Sequence, residues 1–183
     1  FTSAAYWHTG APNSGEPYGW LGRLADAIDP QLTPNFLINI DERQSLAVRA
    51  ARAALSSDWG KLNASERGRL MMKLSHLVTE HGEELALLEA KDTGKPMTTA
   101  RNDMIVLARY FEFYGGAADK VHGEVIPFLN GYQVNLLREP LGVTAHIIPW
   151  NYPAQMMGRS IAPALAMGNA VVVKPAEDAC MSC

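Results

Sequence analysis

Residues 142–175 constrain the fold more than any other stretch. Residues 142–148 (GVTAHII) are short, apolar and β-branched, and Pro149 ends the run. Residues 153–167 are rich in Met and Ala and read as a helix that Gly168-Asn169 terminates. Residues 170–173 (AVVV) form a second strand of the buried type, ended by Pro175. Strand, helix and strand with connections this short make a βαβ unit, which implies a parallel pair and a right-handed crossover. Ligands of such sheets sit at the carboxyl ends of the strands. The segments leaving those ends are Pro149-Trp150-Asn151 and Lys174-Pro175-Ala176-Glu177.

Upstream the apolar period is helical. Leu46, Val48, Ala50, Ala51, Ala53, Ala54 and Leu55 predict an Ala-rich helix, and Ser-Ser-Asp-Trp-Gly at 56–60 reads as a turn. Asn63 with Glu66 three residues on has the spacing of a capping box. Leu70, Met71, Leu74, Leu77 and Val78 then fall on one helix face. Leu85, Leu88 and Ala90 continue as another helix, stopped by Gly94 and Pro96. A further helix is expected over about 102–121, with Met104, Leu107, Phe111, Tyr114, Ala118 and Val121 as its stripe. The period changes at 124–128 and 132–138, which alternate loosely around Asn130-Gly131. That pair is a hairpin signal, because both residues tolerate positive φ.

Composition narrows the function classes. The chain has 183 residues and a net charge of −3, so it offers no broad basic surface for nucleic acid. No apolar run reaches the roughly 18 residues of a membrane span. Two cysteines cannot build a secreted disulfide scaffold. The first residues show no charged segment followed by an apolar one, so no signal peptide is read and a cytoplasmic location is expected. Residues 1–44 hold Arg23 and Arg43 against Glu16, Asp26, Asp29, Asp41 and Glu42, and carry the whole net charge. Residues 1–22 read as loop, 21–28 as a short helix and 35–40 as a short strand, with a boundary in 41–50.

Asn151 lies between two prolines in a stiff turn. Its amide can donate to a developing oxyanion, or it can simply cap the next helix. Lys174 and Glu177 offer one donor and one acceptor, suited to ribose hydroxyls, and equally describe a solvated pair at a strand end.

The stretch 136–177, LREPLGVTAHIIPWNYPAQMMGRSIAPALAMGNAVVVKPAE, resembles the EPLGV…IIPWN-P…APALA-GN-VV-KPAE pattern of the aldehyde dehydrogenase superfamily. Residues 56–96, ending in KDTGKP, and 108–127 are similar to its preceding helices, so the resemblance covers about 48–183. It implies an α/β fold: a helical N-terminal region, an oligomerisation-type β-hairpin and the first βαβ unit of a Rossmann-like sheet. It also implies NAD(P)-dependent oxidation of a small-molecule aldehyde to a carboxylic acid, in which a cysteine thiolate attacks the carbonyl. By that carry-over Ile147, Ile148, Pro149 and Trp150 line the cofactor site, and Asn151 stabilises the oxyanion. Lys174, Ala176 and Glu177 meet the adenine ribose. A carboxylate at Glu177 favours NAD over NADP, and the family's hairpin implies a homo-oligomer. The family's nucleophilic Cys and basic Glu lie far downstream in a longer chain, so these 183 residues are expected to be inactive alone. Residues 1–47 depart from the pattern and resemble a bacterial secreted family related to sulfatases.

Two competing readings come from other classes. Cys180-Met-Ser-Cys183 is a CxxC placed at an expected helix start, where the dipole would lower a thiol pKa. A non-catalytic interaction module held by the hairpin is the other. His76, His81, His122 and His146 show no metal-ligand spacing, so no metal is expected, and His81 and His146 read as structural. Gln155, Met156 and Arg159 are placed to face the substrate, without identifying the aldehyde.

Overall fold

In the computed structural model, residues 46–183 are described, and the loop, helix and strand expected within 1–45 lie outside them. The capping box forms as spaced: Asn63 Oδ1 accepts the Glu66 N–H at 3.0 Å, and Glu66 accepts the Asn63 N–H at 2.8 Å. It starts α3 (Ala64–Glu80), which follows α1 (Leu46–Leu55) and α2 (Asp58–Lys61). The turn expected at 56–60 therefore contains one helical turn of its own. His81 ends α3 and leads straight into α4 (Gly82–Thr93), which stops at Gly94 in the left-handed region (φ 73°).

Next comes α5 (Met97–Ala117), followed by a short 3₁₀ turn, Ala118–Lys120. It begins five residues before the expected start, because Pro96 caps it and its carbonyl takes the Thr99 and Ala100 N–H groups. The hairpin is β1 (Glu124–Ile126) against β2 (Val134–Leu136), antiparallel. Asn130-Gly131 forms the turn between them, with Gly131 at φ 87° and the Tyr132 N–H donating to the Leu129 carbonyl. The βαβ unit is β3 (Val143–Ile147), α6 (Pro153–Ala166) and β4 (Ala170–Lys174), with the strands parallel as predicted and Ile147 opposite Lys174.

Residues 51–183 pack as one unit around α5. Its buried Met104, Leu107 and Phe111 meet Met71 and Val78 from α3 and Ile161 and Ala162 from α6. At the crossing of α3 and α5, two glycines bring the backbones together. A Cβ on Gly68 would stand 2.5 Å from the Gly115 carbonyl oxygen. The stripe on α3 is corrected here: Leu70, Leu74 and Leu77 are exposed, and the buried phase runs through Gly68, Met71, Ser75 and Val78. The leucines mark a second apolar phase, which lies outside this crossing. Val121 is likewise exposed, beyond the end of α5. The three valines of β4 are only half-buried, because among the described residues β3 is their sole strand neighbour. No helix among these residues is long and apolar enough to cross a membrane.

Candidate functional site at the strand ends

Register brings the two predicted segments together. The strand ladder runs one bond past β3, where the Ile148 N–H donates to the Lys174 carbonyl at 3.0 Å. Ile148 is thereby buried, while Ile147 and Trp150 stay largely exposed. Asn169 fixes the opposite end of the unit. Its side-chain carbonyl accepts the Gly142 N–H before β3, and its amide donates to the Ala164 carbonyl near the end of α6. One buried amide thus ties the entries of both strands to the helix between them.

Lys174 Nζ meets Glu177 Oε1 at 2.7 Å, both partly exposed, with Ala176 buried between them. An ammonium is a donor and a carboxylate an acceptor, so the pair presents both of the polar types that a hydroxyl can bond. Asn151 does not cap α6: Tyr152 holds that position without a side-chain bond, and Pro153 fills the first turn. Asn151 is exposed and makes no side-chain hydrogen bond to a described residue. The helix-cap reading of Asn151 is therefore not realised.

The "Aldehyde dehydrogenase family" pattern matches residues 39–183. The chain belongs to this family. The match begins ahead of residue 48, where the motif-based resemblance starts. A hydroxyisobutyraldehyde dehydrogenase of Mycolicibacterium austroafricanum is 48% identical over 169 residues, covering 89% of this chain and 34% of that protein. A mitochondrial family 2 member, B4, of Arabidopsis thaliana is 47% identical over 162 residues, covering 85% and 30%. The NAD+ complex of the Bacillus cereus aldehyde dehydrogenase aligns with TM-score 0.72 at 41% identity, covering 74% of this chain and 28% of that one. The chain spans about a third of the length of the curated relatives it matches.

Cys180 and Cys183 do not begin a helix. Residues 175–183 are turns with one isolated bridge, Ala176 to Ala179. Burial pushes the Cys183 thiol up to about 11, and the Glu89 carboxylate adds to that shift. This is opposite to the lowered pKa that a redox site uses. Among the described residues no cluster of His, Cys, Asp or Glu could hold a metal ion.

Sequence reasoning passed over a cluster of three charged groups that meets the Tyr152–Ala154 segment. Glu89 and Asp103 are buried, and Lys95 Nζ bridges them at 2.6 and 2.8 Å. The signal was helical phase: Glu89 follows buried Ala86 by three positions, and Asp103 lies between buried Ala100 and Met104. A carboxylate on the buried face of a helix needs a partner.

Proposed function

We propose that this chain carries the nucleotide-binding strand ends of an NAD-dependent enzyme that oxidises a small-molecule aldehyde to a carboxylic acid. The supporting observation is the meeting of the two segments at the carboxyl ends of β3 and β4. It puts the Lys174–Glu177 donor–acceptor pair on one strand end and the uncommitted Asn151 amide on the other. The donor set fits a dinucleotide. An ammonium and a carboxylate match a vicinal diol, and exposed Ile147, Pro149 and Trp150 present apolar surface to planar rings, with Ile148 buried beneath them. Lys174 and Glu177, flanking Ala176, hold the ribose hydroxyls, and the negative charge of Glu177 disfavours a 2′-phosphate, so NAD is preferred to NADP. When bound, NAD supplies the hydride acceptor.

Asn151 donates its amide hydrogens to the aldehyde oxygen. The bond strengthens as negative charge grows there, which is the condition for lowering a barrier rather than only tightening binding. Neither Cys180 nor Cys183 is the attacking thiolate. Burial and the Glu89 carboxylate raise the Cys183 pKa, which disfavours a thiolate there, and in this reading the 183 residues alone bind NAD without turning over aldehyde. The hairpin exposes Val125, Phe128, Leu129, Tyr132 and Leu137, an apolar surface suited to a second copy of the chain. The same reading places the enzyme in the cytoplasm, a reducing compartment where the free thiols of Cys180 and Cys183 persist. Fluorescence titration with NAD tests the binding half. The expected result is saturable quenching that Asn151→Ala leaves intact and Lys174→Ala weakens. A folded chain that shows no NAD binding would instead be an interaction module.

A further inference from the structure

The buried charges behind the Trp150-Asn151-Tyr152 segment have no part in the chemistry above. Glu89 is 0% exposed and Asp103 2%. A buried ionic triad can often be replaced by apolar residues with no loss of stability, so stability alone does not account for this one. Its outward contacts are directional. Lys95 Nζ lies 4.5 Å from the centroid of the Tyr152 ring, within cation–π range. The second carboxylate oxygen of Glu89 accepts the Ala154 N–H at 3.3 Å, at the positive end of α6, and also the Ser182 hydroxyl. Three residues along α4, Asp92 accepts the Met181 N–H at 2.8 Å. The end of α4 therefore grips both the segment leaving β3 and the segment that follows Glu177. Asn151 makes no side-chain hydrogen bond to a described residue, so the backbone around it is what fixes the direction of its Cα–Cβ bond.

We propose that Lys95, held by Glu89 and Asp103, is a positioning residue for Asn151. It fixes the Tyr152 ring while Glu89 fixes Ala154, and together they hold the backbone from which the Asn151 side chain projects. This rests on the oxyanion role given to Asn151 above. Burial works to lower the Lys95 pKa, but the hydrogen bonds to Asp103 and Glu89 outweigh it and raise the value, so the ammonium stays charged.

Backbone ¹⁵N relaxation on the 183-residue chain tests this. In the wild type, Trp150, Asn151 and Tyr152 have rigid-range order parameters of about 0.85, and in Tyr152→Leu these fall toward 0.6, the edge of the flexible range. The amides of α3 and α5 do not change. Lys95→Met gives the same local loss. Lys95→Arg restores the order, because a guanidinium can bridge two carboxylates and stack on a ring. Should Lys95→Met fail to fold, Tyr152→Leu and Lys95→Arg carry the test. Unchanged order at 150–152 in folded Tyr152→Leu overturns the proposal, as does a wild-type segment that is already mobile. A parallel NAD titration separates the two readings. NAD binding with loop order insensitive to the variants defeats the positioning role alone. Loop order that responds, in a chain that does not bind NAD, defeats the dehydrogenase reading alone.

Discussion

In the proposed nucleotide site, Glu177 acts through charge as well as shape. Its carboxylate pairs with Lys174 at 2.7 Å, and a phosphate brought to the same place would meet it as a like charge. Glu177→Gln keeps an acceptor and removes the repulsion. The expected result is a rise in NADP affinity relative to NAD, read as a ratio of the two dissociation constants. An unchanged ratio would show that Glu177 does not set the preference. His146 gives a second residue-level outcome. Its ring lies between Ser160 Oγ (2.7 Å) and Thr144 Oγ1 (2.9 Å), and burial lowers its pKa below the ordinary 6.5. The unfolded chain then takes up the proton first. This group's contribution is fully present above pH 6.5 and is lost as the pH falls through 6.5 toward the lower folded value. Melting temperatures in that acid window fall less steeply for His146→Gln than for the wild type. Asn63→Ala removes the side-chain half of the capping box, leaves the backbone N–H bond to Glu66, and costs about 1 kcal/mol in denaturant unfolding.

At the level of elements, much was legible from the chain because local rules and packing agreed. The Asn63–Glu66 spacing, Gly94, Asn130-Gly131 and the two apolar runs at 142–148 and 170–173 each mark a feature that forms. The stripe on α3 was misread because the sequence carries two apolar phases on that helix. The glycine pair at the α3–α5 crossing selects the one containing Gly68 and Met71, and periodicity cannot see a crossing point. Gly68→Ala therefore tests the selection. It forces a Cβ into the Gly115 carbonyl and lowers stability by roughly 1–3 kcal/mol, whereas Leu70→Ala on the exposed phase costs much less. The site was half legible. Asn151, Lys174 and Glu177 stand in segments flagged by βαβ topology, while Glu89, Lys95 and Asp103 come together only through tertiary packing of α4, α5 and the turn between them. The hairpin carries its own expectation. Leu137→Glu charges its exposed apolar surface, and sedimentation should show any self-association weakened, with the helical spectrum retained.

On the scale of the whole molecule, α5 and α6 form the packed base, and β3 and β4 raise two short segments above it. The proposed site lies at one edge, where the carboxyl ends of parallel strands lie side by side. Asn169 ties the far edge, and Glu89 with Asp92 ties the near one. The rest of the described chain holds these segments in place. The central claim is that this edge is a nucleotide site, and it is tested most directly by isothermal titration of NAD into the 183-residue chain and its Lys174→Ala variant. Losing a charge-assisted hydrogen bond costs about 1.5–3 kcal/mol, so the variant should bind roughly 10- to 150-fold more weakly with the same stoichiometry. Equal affinity in the two folded proteins, or no NAD binding by the folded wild type, would contradict the account.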